Sequence, residues 1–267
     1  MSDELLYLYA IADAAASGAI VAARLTGIDG GRVAPVVEGR LLGATSVVPA
    51  SEYDEAPLNE HLQDLDWLAP RAAAHQDVNG RLLEITGGIV PLAFGAIYRG
   101  PEGVRTLLEA RATDFRERLA DLDGRAEWIV SVERADDVPA AQSEALRQLE
   151  AEIADAPPGR AFLLGKRRED VLREERQLSD AVIAVEALEA LEAGAERVYR
   201  ETLIDDAALA AVARFSVLVD RSHEAALRDV VRGIERAASV RGYRIRLSGP
   251  WPAYRFGGLS LEGTLAG

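Results

Sequence analysis

The 267-residue chain contains no cysteine. That removes disulfides, thiolate nucleophiles and cysteine-based zinc or iron–sulfur sites. Histidine is scarce: His61, His75 and His223 lie far apart, and none has a second metal-type ligand at a fitting spacing. A positive balance is also missing. The net charge is −14 and the pI near 4.8, which argues against holding nucleic acid or an anionic membrane by bulk electrostatics. No run approaches the roughly 18 uncharged apolar residues that a membrane span requires. The acidic start, Met1-Ser2-Asp3-Glu4, lacks the basic-then-apolar order of a signal peptide. A soluble intracellular protein is expected.

Motifs of known chemistry are absent too. There is no G-x-S-x-G elbow, P-loop or H-E-x-x-H, and Gly87-Gly88 does not continue as a dinucleotide fingerprint. His61 and Asp64 are spaced to share a helix face, an arrangement that suits a surface hydrogen bond. His75 reads as a cap or packing residue near a helix end. Serines and carboxylates abound, but without a positioned base they make no triad. No catalytic residue, cofactor site or metal site is expected.

The chain is nevertheless built to fold. Hydrophobic residues make up 49% and charged residues 28%, a globular balance. Leu5 to Ile11 reads as a strand. Arg32–Val37 and Arg40–Val48 read as a hairpin about Glu38-Gly39. Asn59–Gln76 reads as a helix interrupted at Pro70, and Leu82–Ile85 as a short strand or a helix end. Ile89–Tyr98 reads as a kinked buried strand. Pro101 to Leu122 is helical, with Val104, Leu108, Phe115 and Leu119 in one stripe. Ala126–Val132 is a strand. Antiparallel strands with helices on one face define an α+β unit of ferredoxin-like character over residues 1–134.

A polar, turn-prone stretch from Arg134 to Ala140 marks a boundary. Residues 139–248 form a second, helix-rich α+β unit. It has a helix opening at Pro139, a short strand at Ala161–Leu164, and a long helix from Lys166 to Gly194. Strands at Glu196–Ile204 and Ala210–Val219 follow, turning at Asp205-Asp206. A helix capped by Asp220 or Ser222 and a strand at Tyr243–Leu247 complete it. The long helix carries the densest basic cluster, Lys166-Arg167-Arg168 with Arg173 and Arg176, interleaved with acids. A solvated, salt-bridged face is the plain reading. A partner-binding face built on Arg167, Arg168, Arg173 and Arg176 is the sharper one, since so long a helix has more surface than one core uses.

Residues 249–267 open with Gly249-Pro250-Trp251-Pro252-Ala253-Tyr254-Arg255-Phe256-Gly257. The prolines rule out a helix or a central strand there and fix three rings in place. A strap is expected that packs its rings on the second unit, followed by a tail.

Several stretches, in order, resemble the gas vesicle protein L/F family (GvpL/GvpF). They are Leu5–Ile11, Asp64–Leu68 with His75, Val90–Ala96, Ala161–Arg167, and above all the Gly-Pro-Trp-Pro-x-Tyr-x-Phe terminus. The chain departs at Ala93 and Ala96, and Phe162 stands where Tyr is common. The resemblance implies two α+β domains and a non-enzymatic accessory or minor structural component. Such a protein would contact the hydrophobic shell protein and other gas vesicle proteins during assembly, at the gas vesicle in the cytoplasm. The competing reading is a small-ligand binder or enzyme with a cleft between its two domains.

Overall fold

A computed structural model describes residues 5–135, 143–203 and 211–258. The elements run β1 (Leu5–Asp13), α1 (Ser17–Ala23), β2 (Ala34–Glu38), β3 (Leu41–Val48), α2 (Ala50–Tyr53), α3 (Glu55–His61), α4 (Leu65–Thr86), β4 (Val90–Pro91) and β5 (Ile97–Arg99). Then come α5 (Gly100–Ala110), α6 (Ala112–Leu122), β6 (Arg125–Arg134), α7 (Glu144–Asp155), α8 (Pro158–Glu192), β7 (Arg197–Arg200), β8 (Ala211–Asp220), α9 (Glu224–Ser239), β9 (Tyr243–Trp251) and α10 (Tyr254–Gly257). The chain is of the α+β class. It divides into one unit of residues 1–127 with 249–267, and a second of residues 128–248.

The first unit is organised by β1, which lies between β3 and the short strands β4 and β5, with β2 outside β3. All of these pairings are antiparallel. The expected hairpin is present, with Glu38 opposite Leu41 and Gly39 at φ +57° in the turn. Strict alternation along β1 breaks at Tyr9. Leu8 faces Thr45 but Ala10 faces Ala44, so Tyr9 is an extra residue. As a result Leu5, Tyr7, Tyr9, Ala10 and Ala12 join one apolar cluster, and Leu6, Leu8 and Ile11 join another. The first cluster takes Val78, Leu82 and Leu83 from α4; the second takes Val104 and Leu108 from α5 and Phe115 from α6. Helices therefore cover both faces of this sheet, where one covered face was expected. A strand buried on both sides reads as a continuous apolar run, and Leu5 to Ile11 is such a run.

Helix boundaries also differ from the sequence reading. The chain breaks at residues 62–64 and passes through Pro70. The Asp64 side chain accepts from the N–H groups of Asp66 and Trp67 and so restarts a helix. Pro70 lies only five residues past Leu65, where it deletes one hydrogen bond near the helix start. Leu82–Ile85 belongs to α4, which ends at Gly87 in the left-handed region (φ +80°). His75 thus sits in the middle of a helix.

In the second unit the sheet order is β7-β8-β6-β9. Its core is Trp128, Val130 and Val132 of β6 and Phe215, Val217 and Val219 of β8. These pack against Ile183, Ala184, Ala187 and Leu191 of α8 and Leu227, Val231, Ile234 and Ala238 of α9. Ala161–Leu164 is not a strand: α8 begins at Pro158 and includes it. Proline at the first helical position is pre-set for helix, and the following Leu-, Arg- and Glu-rich sequence favours its continuation. Asp220 caps the short 3-10 turn Arg221–His223, accepting from the Ser222 N–H, whereas α9 itself starts after His223 with no side-chain cap, so neither Asp220 nor Ser222 caps it. The sequence readings at Pro139, at Asp205-Asp206 and after Gly258 lie outside the described residues.

The C-terminal aromatic segment belongs to the first unit, not the second. Tyr254 reaches Asn79 of α4 at 2.7 Å, and the Arg255 N–H donates to Glu127 at 2.8 Å. Gly257 packs so tightly on Leu122 that a Cβ there would lie 2.2 Å from Leu122 Cδ1. The reason is chemical. Asn79 is a fully buried amide whose Nδ2 donates to Tyr254 Oη, and burying a large ring such as Tyr254 adds its own apolar gain.

Candidate partner-docking helix and the buried histidine

Two places concentrate polar chemistry. One is buried, in the first unit. Tyr7 Oη lies 2.9 Å from His75 Nδ1, and the Asn79 amide lies 3.0 Å from His75 Nε2 and 2.7 Å from Tyr254 Oη. The Gly95 N–H donates to Tyr7 Oη at 3.1 Å. Rings of Tyr7, Tyr9, Phe94 and Tyr254 surround the imidazole, with centroids 5.6 to 6.2 Å away. Burial drives the His75 pKa down to about 4, against a smaller opposing pull from the Leu92 carbonyl. Burial likewise pushes Tyr254 up to about 12, partly offset by its bond to Asn79, and raises Tyr7. At neutral pH His75 is uncharged and both its nitrogens are engaged. It is a packing residue that ties α4, β1 and α10 together.

His61 does not pair with Asp64. It stacks on Trp67, 4.7 Å between centroids, and lies 3.5 Å from Glu52. Asp64 is occupied in capping α4. Among the described residues no group of three or more His, Asp or Glu could hold a metal ion.

The other place is α8. Its 35 residues span about 52 Å at ~1.5 Å per residue. Every buried residue on it lies at Ile183 or beyond. The earlier part is packed by α7, whose Leu146 and Leu149 are buried. Ser143 caps α7 by accepting from the Leu146 N–H and donates its own hydroxyl proton to Glu175. Beyond these contacts α8 keeps large apolar side chains in solvent: Phe162 at 65% and Leu163 at 66% exposure near its start, then Leu178, Val182 and Val185.

The four arginines expected to act together do not share one environment. Arg168 is held by Glu150 of α7 at 2.8 Å. Arg173 pairs with Asp170 at 3.3 Å on its own helix. Arg173 and Arg176 line an open groove of about 430 Å³ with Arg134, Glu169, Leu172 and Gln177. Arg134 is itself ion-paired to Asp180, which also accepts from Tyr243 Oη at 2.9 Å. Arg167 projects elsewhere and has no ion-pair partner among the described residues. The exposed apolar positions lie on the same helix as these arginines. Their signal was present as Phe162-Leu163 and as Leu178, Val182 and Val185, but apolar residues on a long helix are ordinarily read as core.

These features describe an α+β protein of two units. No helix among the described residues is long and apolar enough to cross a membrane. Residues 5–257 match the family model described as gas vesicle synthesis protein GvpL/GvpF, and the chain belongs to that family. It is therefore a gas-vesicle-associated protein. It is 33% identical over 268 residues to gas vesicle protein L of Streptomyces sp. (strain CB03234), covering 98% of this chain and 96% of that one. It is 29% identical to gas vesicle protein L2 of Halobacterium salinarum, over 94% and 90% of the two chains. The crystal structure of GvpF from Anabaena sp. PCC7120 matches with a TM-score of 0.65 at 19% identity, over 96% of this chain and 97% of that chain. GvpF from Microcystis aeruginosa gives 0.63 at 20% identity, over 97% and 100%.

Proposed function

We propose that this protein acts without catalysis in gas vesicle assembly, at the vesicle in the cytoplasm, and contacts the hydrophobic shell protein through the exposed face of the first half of α8. The observation that carries this reading is the stretch 158–177. It has no buried residue, and it displays exposed Phe162 and Leu163 near its start and the groove lined by Arg173 and Arg176 about 15–20 Å further along the helix. Exposed rings and leucines on a folded surface mark a place where another protein sits. The non-catalytic reading is supported by the histidines. His75 is held neutral and saturated, and His61 is stacked on Trp67.

The test is capture of the purified shell protein by the immobilised full chain. The double variants Phe162→Ser/Leu163→Ser and Arg173→Glu/Arg176→Glu are each expected to weaken capture by about tenfold or more, the scale of losing central contacts. Circular dichroism unchanged from wild type would show that the helix is intact. Capture equal to wild type in both variants would overturn the proposal.

A further inference from the structure

A second surface on α8 has a symmetry of its own. At ~100° per residue, positions 4, 7 and 11 before and after a given residue return close to its own direction. About Leu178 these positions are Glu174 and Val182, Val171 and Val185, and Arg167 and Glu189. Leu178, Val182 and Val185 are 67%, 42% and 47% exposed. This line points away from the residues that enter the core, Ile183, Ala184, Ala187 and Leu191. It also differs from the positions that meet α7, Arg168 and Glu175. Arg167 and Glu189 are exposed, and neither has an ion-pair partner among the described residues.

An apolar centre with an unpaired cation at one end and an unpaired anion at the other, equally spaced, complements itself when reversed. From this arrangement we infer that the stripe from Arg167 to Glu189 docks a second copy of this chain, antiparallel, with a two-fold axis at Leu178. In that pairing Leu178 meets Leu178 and Val171 meets Val185. Arg167 of one copy faces Glu189 of the other, twice over. Glu174 falls opposite Val182 at the edge of the stripe, where its methylene stem can cover the valine while its carboxylate stays in water. The contact is isologous, the arrangement that closes a dimer without leading to fibres. The 3-and-4 spacing is that of a short coiled-coil seam. The inference is independent of the shell contact, which uses other side chains.

The test exploits the absence of cysteine. Sedimentation of the full chain is expected to show a monomer–dimer equilibrium. Arg167→Glu replaces two attractive pairs by two repulsive ones and is expected to weaken dimerisation by about tenfold or more, and Arg167→Glu/Glu189→Arg to restore it. Under oxidation Leu178→Cys is expected to cross-link to itself. Val171→Cys alone is expected not to, because the two copies of residue 171 would sit 14 positions, about 21 Å, apart. Mixed with Val185→Cys it is expected to cross-link. Self-linking of Val171→Cys would mean a parallel pair and overturn the inference. So would a wild-type chain that stays monomeric at all concentrations. So would unchanged dimerisation of Arg167→Glu. A monomeric chain whose capture of shell protein is abolished by Leu178→Asp would assign the stripe to the shell protein instead, and overturn it as well.

Discussion

His75 predicts a specific weakness to acid. In the folded protein its pKa is driven down to about 4, by burial first. In the unfolded chain it returns to about 6.5. The unfolded state therefore takes up the proton first as pH falls. The stabilisation from burying a neutral imidazole is complete above about pH 6.5 and is lost progressively down to about pH 4. Between pH 7 and pH 5 the loss from this group is about 2 kcal/mol, approaching about 3 kcal/mol below pH 4. The groups facing the ring from β1, α4 and α10 are Tyr7, Tyr9, Asn79 and Tyr254, and none titrates in that range. The perturbation is His75→Gln, which keeps a polar side chain on α4 but does not titrate. It breaks the contacts to Tyr7 and Asn79 and costs about 1–3 kcal/mol at pH 7, a difference that narrows as wild type is weakened by acid. The informative quantity is the difference in differences. Urea unfolding at pH 7 and pH 5, followed by tryptophan fluorescence, is expected to show wild type losing about 2 kcal/mol more than His75→Gln. Carboxylates held low by arginines, such as Asp114 beside Arg118 and Arg111, titrate in both proteins and cancel. Equal losses in the two proteins would refute the assignment of a neutral, desolvated His75.

Two further substitutions test the packing of the first unit. Gly27→Ala would place a Cβ 2.2 Å from the Tyr9 hydroxyl, which is fixed by Ser46 Oγ at 2.7 Å and by the Ile28 N–H at 2.8 Å, so thermal unfolding is expected to show a loss of about 1–3 kcal/mol. Asp64→Ala removes the cap of α4 and is expected to cost about 1 kcal/mol in urea unfolding, with Asp64→Asn recovering most of it.

The class of fold was legible because alternation and breakers are local. The β2–β3 hairpin announced itself by two apolar runs about Glu38-Gly39, and α9 by Leu227, Val231, Ile234 and Ala238. What escaped depended on distant partners. The extra residue at Tyr9 is defined only by its pairing with β3, so which β1 side chains go to which face could not be read from β1 alone. The strap meets the first unit through partners far away in sequence, Asn79 175 positions before Tyr254 and Glu127 128 positions before Arg255. Nothing in Gly249–Gly257 names that amide. Ala161–Leu164 looked like a strand because four apolar residues in a row fit either period. Pro158 settled it as helix, since proline at a first turn costs nothing.

The candidate surface was half legible for a related reason. The cluster from Arg167 to Arg176 is dense in sequence, and density suggests one basic face. A helix disperses neighbours: at ~100° per residue, Arg167 and Arg168 already point different ways. Arg168 turns to α7 and Glu150, Arg173 and Arg176 turn to the groove with Arg134, and Arg167 turns outward. Charge was thus divided among three surroundings, each too small for a strong electrostatic patch on a chain of net −14. The apolar residues follow the opposite logic. Leu178, Val182 and Val185 recur at helical spacing and share one side of α8, and the sheet already has its covering from Ile183, Ala184 and Ala187. One helix therefore supplies a core face and an exposed apolar stripe within the same two turns. Exposure was the quantity that separated them, and exposure follows from which face the sheet takes, not from composition.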